Sequence, residues 1–509
     1  MIKSFPKPVN LSLFPEFKPT QQQLDIVRES ITGNSFEIVA LAGCSKTTTA
    51  KMICEALHKF RSVFVCSFTK KIVDDIERKI KMPNVKVSTL HSAGRTVIID
   101  SGVVLLPYKN RKGENCRDKV FDTCVRMRLQ DAYSYKVLIE ALRIRRIDGN
   151  DISPDNCMKL AAERQIKFKS QNWVMIAFNC QTVIKKTREL AREGYIDYTD
   201  MLELAVDILD EGYRAGFDTV IIDESQDCNP LQIAFLKALR ASQYIPTYDP
   251  NQRIFGFAGA VSDFGKYSRN TFGITKTLSL TASFRCSVSV AVQAAKIVPD
   301  FVPYKDNPVG NFEYIERLED TPKLPNMVLA RTNKLCVQNF VDMVRRGIKC
   351  KLSKFDVMKY IEEVFRFCVE RNKTPDDWAQ YALDDMYSQG LEKNLENWIR
   401  RDIAERLEMT QFIFKEFNGY DFQDTYNNAK QFFKDSRKGG KNAIECITIH
   451  SAKGLEGEVV VVADSEWKDE QDELECLVYV AITRAKNTCY IVRHEDDDGC
   501  VGAIEELLT

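Results

Sequence analysis

Asp223 and Glu224, at the end of the apolar run Phe217-Asp218-Thr219-Val220-Ile221-Ile222-Asp223-Glu224-Ser225-Gln226-Asp227, are the pair of side chains in this sequence best placed for chemistry. A core strand of a parallel sheet is apolar on both faces, and ligands collect beyond its carboxyl end. There one carboxylate, Asp223, can hold Mg²⁺ while the next, Glu224, polarises an attacking water for phosphoryl transfer. Read alone, the same residues also fit a strand followed by a solvated acidic turn. A second segment tilts the balance towards chemistry. Phe36-Glu37-Ile38-Val39-Ala40 reads as another buried strand and runs into Leu41-Ala42-Gly43-Cys44-Ser45-Lys46-Thr47-Thr48-Thr49-Ala50-Lys51-Met52. Strand, loop and helix in that order place the backbone of Gly43, Cys44, Ser45 and Thr48 around phosphates. Lys46 then serves the β and γ phosphates, and the Thr47 hydroxyl serves Mg²⁺. Ala40 and Ser45 stand where the pattern G-x-x-x-x-G-K-[ST] has glycine.

The elements that must hold these groups follow from the rhythm of the chain. Its 509 residues exceed one ordinary domain, and 44% hydrophobic with 28% charged residues is the composition of a soluble globular protein. No apolar run is long enough to span a bilayer, no secretory leader is expected at Met1-Ile2-Lys3-Ser4, and a cytoplasmic location follows. The sixteen cysteines are scattered without a C-x-x-C pair and read as reduced core thiols, Cys54, Cys66, Cys446 and Cys489 among them. With 72 basic and 72 acidic residues, any polyanion must be bound by a local groove rather than by the global field. Short strands alternate with helices to about Ser92, as in a parallel α/β sheet. From about Tyr108 to Arg192 the pattern changes to long basic helices, Tyr135–Arg146 and Ile166–Arg192 for example. A second α/β set comprises Met327–Ala330, Ile444–Ile449, Val459–Ala463 and Cys489–Val492, interrupted by another helical stretch from about Phe355 to Asn442. Two α/β cores, each with a helical insertion and only the first with a phosphate loop, suggest a motor with ATP between the cores.

Further segments, in order, carry a close resemblance to the superfamily 1 helicases of the UvrD/Rep type, from about Pro19 to Tyr490. Pro19-Thr20-Gln21-Gln22-Gln23 resembles the family's glutamine motif, Gln23 rather than Gln22 being the adenine reader; an amide can pair with both donor and acceptor of an adenine edge. Ser67-Phe68-Thr69-Lys70-Lys71 and Ser88-Thr89-Leu90-His91-Ser92 resemble its two single-strand contact motifs, in which Phe68, Thr69, Thr89 and His91 would meet DNA. In Tyr248-Asp249-Pro250-Asn251-Gln252-Arg253-Ile254-Phe255-Gly256-Phe257, Gln252 would sense the γ-phosphate and Phe257 would stack on a base. Leu280-Thr281-Ala282-Ser283-Phe284-Arg285 resembles the motif whose aromatic, Phe284, stacks on adenine and whose arginine, Arg285, reaches the γ-phosphate. Ile447-Thr448-Ile449-His450-Ser451-Ala452-Lys453-Gly454-Leu455-Glu456 matches the pattern T-x-H-x-x-K-G-L-E, which assigns His450 to DNA and Glu456 to the nucleotide. Tyr479-Val480-Ala481-Ile482-Thr483-Arg484-Ala485-Lys486 nearly repeats the family's last motif, with Arg484 a second cation for the transferring phosphoryl group.

The resemblance implies two RecA-like P-loop cores. The expected layout is a first core over residues 1–92 and 197–277 with an insertion at 93–196, and a second core over 278–354 and 441–509 with a reduced insertion at 355–440. It implies an ATP- and Mg²⁺-dependent translocase, 3′ to 5′ on single-stranded DNA. Such a protein acts at single-strand/duplex junctions in replication, repair or recombination, as a monomer or weak oligomer, on the nucleoid or in a host cytoplasm if phage-encoded. The rivals are a nucleic-acid-binding protein of the same fold without ATPase activity, and an RNA-directed or 5′ to 3′ motor of the superfamily. Leu41 and Ser45 in the phosphate loop, Ala258 where an arginine is common, and Cys476 depart from the family pattern.

Overall fold

The computed structural model describes residues 18–67, 70–109, 113, 115–116, 118–147, 149–164, 166–170, 172–254, 264–353, 355–388, 393–436, 443–463, 471–493 and 503–508. The chain forms two units, Met1–Thr281 and Ala282–Thr509. In the first, six parallel strands, β1 (Glu37–Ala40), β2 (Val63–Ser67), β3 (Val85–Thr89), β4 (Thr219–Ile222), β5 (Gln243–Tyr248) and β6 (Thr277–Leu280), lie in the order β3-β2-β4-β5-β1-β6. Val63, Phe64, Val65 and Cys66 of β2 and all of β4 are buried, which is why these strands read as unbroken apolar runs rather than alternating ones. The order makes β4, β5 and β1 neighbours, so the residues that follow their carboxyl ends emerge side by side. Strand β6 belongs to this sheet, and the first unit therefore ends a few residues beyond the expected boundary at 277.

Helix Leu90–Asp100 also belongs to this core. Leu90, Ala93, Val97 and Ile98 pack with Leu202, Ala205 and Leu209 of helix Asp200–Asp210, so the expected boundary at 92/93 falls inside a core helix. The two helices meet at Gly94, where an added Cβ would stand 1.9 Å from the carbonyl oxygen of Met201.

The first insertion contains helices Lys119–Arg126, Ala132–Ile144, Pro154–Glu163 and Trp173–Arg192, closed around their own core of Val120, Leu138, Leu142, Leu160, Ile176 and Val183. The last helix starts at Trp173 and not at Ile166. Asn172 caps it by accepting a hydrogen bond from the Met175 N–H (3.1 Å), while Ile166 and Phe168 are buried outside the helix. Three of these helices each send a cation to the short stretch 197–203. Arg143 bonds Asp197 (2.9 Å), Asp200 (2.5 Å) and Glu203 (2.8 Å); Lys119 reaches the other oxygen of Asp200 (2.5 Å); Arg188 donates from Nε to Glu203 (3.1 Å). Lys119 also donates to the carbonyls of Thr187 and Tyr195. Arg143 and Lys119 are each only 1% exposed. Burial pushes the Asp200 carboxyl up to about 6, and against the same burial Arg143 and Lys119 hold Asp197 below the usual carboxylate range.

The second unit opens with a two-strand parallel pair, β7 (Ala282–Ser283) and β8 (Val302–Pro303). It continues with β9 (Asn311–Ile315), β10 (Met327–Ala330), β11 (Cys350–Leu352), β12 (Ile444–Thr448), β13 (Gly457–Ala463) and β14 (Ala485–Val492), a parallel sheet in the order β11-β12-β10-β13-β14-β9. Its insertion comprises Val357–Arg371, Pro375–Ser388, Lys393–Glu416 and Phe422–Ser436. Here insertion and sheet share one apolar core: Ile361, Phe365, Met409, Ile413 and Phe433 pack with Val328, Phe340, Val459, Val461 and Tyr490. The expected fold class, two parallel α/β cores each with a helical insertion, is the one the structure has. Cys54, Cys66, Cys446 and Cys489 are fully buried, as expected of core thiols. No helix of the described residues is long and apolar enough to cross a membrane.

Candidate active site

Between β1 and helix Lys46–Leu57 the backbone turns twice into the left-handed region, at Gly43 (φ 73°) and at Ser45 (φ 58°). Such turns aim successive N–H groups into a concavity at a helix N-terminus, which is an anion cradle. For Ser45 the conformation carries the Cβ penalty of about 1–2 kcal/mol that glycine escapes, the physical content of its departure from the family pattern. Its side chain makes no capping bond. Cys44 is buried with its thiol towards the Ala42 carbonyl (3.8 Å), and Thr47 and Thr48 are half-buried in the first helical turn.

Lys46 Nζ lies 2.7 Å from Glu224 Oε1. Glu224 is itself in the left-handed region (φ 51°) just after β4, the second strained residue of the site. Its other oxygen accepts from Gln226 Nε2 (2.7 Å). The Gln226 oxygen accepts from the Asp249 N–H (3.3 Å) at the end of β5, and Asp249 Oδ2 accepts from Gln252 Nε2 (2.6 Å). Lys46, Glu224, Gln226, Asp249 and Gln252 thus form one chain of contacts across the three neighbouring strand ends. Asp223 and Asp249 are buried beside it. Burial, reinforced by Glu224, pushes the Asp223 carboxyl up to about 7; burial also raises Asp249. Burial works against the Lys46 ammonium, yet Glu224, Asp223 and Asp249 together hold its pKa above the ordinary lysine value. One lysine facing three carboxylates leaves an excess of negative charge that a divalent cation would neutralise. Among the described residues no three His, Cys, Asp or Glu side chains converge to hold a metal alone. Asp223 and the Thr47 hydroxyl are hard oxygen donors that fit Mg²⁺ completing its shell with phosphates and water.

Gln23 is buried, and both ends of its amide are engaged: Oε1 accepts from the Thr20 N–H (3.0 Å) in a capping box, and Nε2 donates to Thr49 on the phosphate-loop helix (3.2 Å). Gln22, half-buried, exchanges two bonds with Thr281 (3.0 and 3.1 Å). Reading a base through Gln23 requires opening its internal pair.

In the second unit Arg285 Nε donates to Glu456 (2.8 Å) and Lys486 meets the other oxygen of Glu456 (2.8 Å). Burial opposes it, but Lys486 and Arg285 hold the Glu456 carboxyl below its ordinary range. Phe284 keeps about a third of its surface and stacks on Tyr304 with centroids 4.4 Å apart. Arg484 is buried, with its guanidinium donating to the carbonyls of Val480 (2.8 Å) and Leu455 (3.3 Å) and to the Thr483 hydroxyl (3.3 Å).

Of the residues expected on DNA, Phe68, Thr69 and Phe257 lie outside the described residues. Thr89 caps helix Leu90–Asp100 through the Ser92 N–H (3.2 Å). His91 stacks on Tyr198 with centroids 3.7 Å apart, and burial lowers its pKa to about 4, so the ring is neutral at pH 7. His450 is half-buried in the short helix Ile449–Ala452. Gln226, Asp249, Lys486, Tyr198 and Tyr304 escaped the sequence reading. Gln226 sits inside the acidic pentad and Asp249 directly follows an apolar strand, signals that could have found both; the tyrosines had none.

Comparison with known proteins supplies the remaining observations. The family model for the UvrD/REP helicase N-terminal domain matches residues 20–272, and that for the UvrD-like helicase C-terminal domain matches residues 443–492. The F-box DNA helicase 1 of Gallus gallus is 24% identical over 522 residues, covering 93% of this chain and 49% of that protein. The ATP-dependent DNA helicase UvrD1 of Mycobacterium leprae is 24% identical over 311 residues, 55% of this chain and 39% of that protein. The chain spans about half the length, or less, of these curated relatives.

Proposed function

Because the chain belongs to the UvrD-type superfamily 1 helicases, we propose that it is an ATP-hydrolysing motor moving 3′ to 5′ along single-stranded DNA. It would separate duplexes at single-strand/duplex junctions in replication, repair or recombination, as a monomer or weak oligomer in the cytoplasm. The observation that carries the reading is the Lys46–Glu224 contact at the phosphate loop, extended through Gln226 and Asp249 to Gln252. A triphosphate in the cradle competes for Lys46 and releases Glu224 Oε1 to accept a hydrogen bond from the attacking water. Gln226 keeps the other oxygen, so the carboxylate is freed without swinging away. Thr47 and Asp223 would hold Mg²⁺, which would supply positive charge to the phosphate oxygens. Gln252 senses the γ-phosphate through its place on Asp249. Arg285 leaves Glu456, and Arg484 its carbonyls, to stabilise the transferring phosphoryl group, which makes turnover depend on both units. Adenine is held by Phe284 and Gln23, and Glu456 lies at the nucleotide. The strand is met by Phe68, Thr69, Thr89, His91, Phe257 and His450. The domains of this proposal are the two cores and two insertions expected from the sequence, 1–92 with 197–277, 93–196, 278–354 with 441–509, and 355–440, adjusted so that helix Leu90–Asp100 and strand β6 belong to the first core.

Steady-state ATPase with and without single-stranded DNA, followed by unwinding of 3′- and 5′-tailed duplexes, tests it. Activity should require DNA and the 3′ tail, and Lys46→Ala, Glu224→Gln and Arg484→Ala should each lose turnover by about a hundredfold or more. Near-normal turnover in Arg484→Ala would remove the dependence on the second unit. One observation favours the non-hydrolysing rival, the strained Ser45. Ser45→Gly should change turnover by less than about tenfold, or roughly 1.4 kcal/mol of barrier. A silent protein that Ser45→Gly switches on by orders of magnitude would establish the rival instead.

A further inference from the structure

The dipeptide Phe284-Arg285 leaves β7 and is gripped by the segment around Tyr304 and Asn307. Asn307 Nδ2 donates to the carbonyls of both Ser283 (2.7 Å) and Cys286 (2.8 Å), the residues on either side of the dipeptide. The Tyr304 N–H donates to the same Ser283 carbonyl (2.9 Å), and the Tyr304 ring covers one face of Phe284 at an interplanar angle of 27°. From within, the buried Ser283 hydroxyl accepts from the N–H groups of Arg285 (3.4 Å) and Cys286 (3.3 Å). The gripping segment is itself anchored. The Val288 N–H donates to the Pro308 carbonyl (2.9 Å), and a Cβ on Gly310 would stand 2.2 Å from the Asn487 carbonyl oxygen, leaving no room for the chain to shift.

We propose that Asn307 and Tyr304 are positioning residues for nucleotide binding: Asn307 fixes the turn that carries Phe284 and Arg285, and Tyr304 holds the Phe284 ring with one face open for the base. The inference rests on the reading of Phe284 as the base-stacking residue. A carboxamide nitrogen carries two N–H donors at the end of a short neutral side chain, which is what two converging carbonyls demand. An aspartate of the same shape would set a charged acceptor against both. A Phe ring open to solvent on both faces samples several orientations; with a partner stacked on one face it presents the other in a single orientation, and a base then meets a surface already ordered. Tyr304 acts through Phe284, and Asn307 through the turn that carries both Phe284 and Arg285; the ground-state phosphates are held by the loop before Lys46, and Arg285 joins them only at the transferring phosphoryl group, so nucleotide and bare polyphosphate binding respond separately to the loss of either residue.

The test is displacement of a fluorescent ADP analogue from the full-length protein by unlabelled ADP and, in parallel, by inorganic tripolyphosphate. Phe284→Ala, Tyr304→Ala, Tyr304→Phe and Asn307→Asp are compared. In Tyr304→Ala and Asn307→Asp the ADP affinity should fall about 3- to 10-fold, while tripolyphosphate displaces within about twofold of wild type. Tyr304→Phe, which keeps the ring, should match wild type in both. Asn307→Asp should also lower kcat for ATP, because Arg285 shares the released turn, whereas Tyr304→Ala should raise KM alone. If Phe284→Ala selectively weakens ADP but Tyr304→Ala and Asn307→Asp do not, or weaken both displacers equally, the positioning role is overturned. If Phe284→Ala itself leaves ADP affinity unchanged, the base-stacking reading falls and takes this inference with it.

Discussion

Of the described residues in the four helices of the first insertion, Ala191 alone packs with the apolar core of its sheet, whereas the second insertion merges its core with that of the sheet it interrupts. No residue is common to the cluster around Leu138 and Ile176 and the cluster around the strands of the first sheet; in the second unit Ile361, Phe365 and Met409 belong to the same cluster as Val328 and Val461. Beyond Ala191, what joins the first insertion to its core is ionic: Lys119, Arg143 and Arg188, from three different helices, converge on Asp197, Asp200 and Glu203. Apolar contacts are non-directional and tolerate sliding, while a multidentate buried guanidinium accepts one geometry. The ionic joint therefore sets the orientation of the first insertion, and the apolar joint makes the second insertion part of the stability of its sheet. The cost of the ionic device is desolvation, which becomes visible only when one partner is removed.

Removing Arg143 should have the largest effect. Arg143→Ala leaves three carboxylates buried without their principal cation, a loss of about 3–5 kcal/mol or more, read from the urea midpoint of the first unit. A midpoint near wild type would mean that water already screens the cluster. Next come matched core truncations. Leu138→Ala and Ile361→Ala should each cost about 2–5 kcal/mol, but the damage should spread differently. Hydrogen exchange in Leu138→Ala should accelerate over residues 119–192 and spare β2 and β4; in Ile361→Ala it should accelerate in β10 and β13 as well. If Leu138→Ala loosened the first sheet equally, the separation of cores would not hold. Gly94→Ala tests the scaffold on which the ionic joint sits. A methyl group aimed at the Met201 backbone should force helices Leu90–Asp100 and Asp200–Asp210 apart at about 1–3 kcal/mol. An unchanged melting temperature would show that the contact yields.

The smallest effect concerns pH at the same joint, where His91 stacks on Tyr198 between Asp197 and Asp200. A histidine whose folded pKa is lowered from 6.5 to about 4 binds fewer protons folded than unfolded across that window. Its contribution is therefore complete above about 6.5 and declines as pH falls towards 4. The stability lost between pH 7 and pH 5 should be smaller in His91→Gln than in wild type by about 1–2 kcal/mol. Equal losses would place the His91 ring in water. Being neutral at pH 7, His91 should also contribute to single-strand binding without steepening its salt dependence.

Much of this architecture was legible in the sequence because it rests on local rules. The unbroken apolar runs Val220–Ile222 and Val459–Ala463 read as buried parallel strands, and Lys46-Thr47 after a strand reads as a helix opening at an anion cradle. The kinds of group at the site, a carboxylate after one strand and a lysine after another, follow from residue type; their contact with each other does not. The start of helix Trp173–Arg192 was misplaced because Ile166 and Phe168 continue an apolar period that the Asn172 cap interrupts. What no local rule contains is the partner chosen across long separations. Gln226 bridging to Asp249, Tyr304 backing Phe284, and Arg143 meeting residues 197–203 depend on strand order and helix packing, which bring together groups between 20 and 60 residues apart. Polar side chains in water are interchangeable in pattern; only burial makes each demand a specific partner. Sequence by itself thus determined the class of fold and the kind of chemistry to expect, and tertiary structure alone decided which carboxylate the lysine holds, which ring backs Phe284, and that the two insertions are fastened by opposite forces.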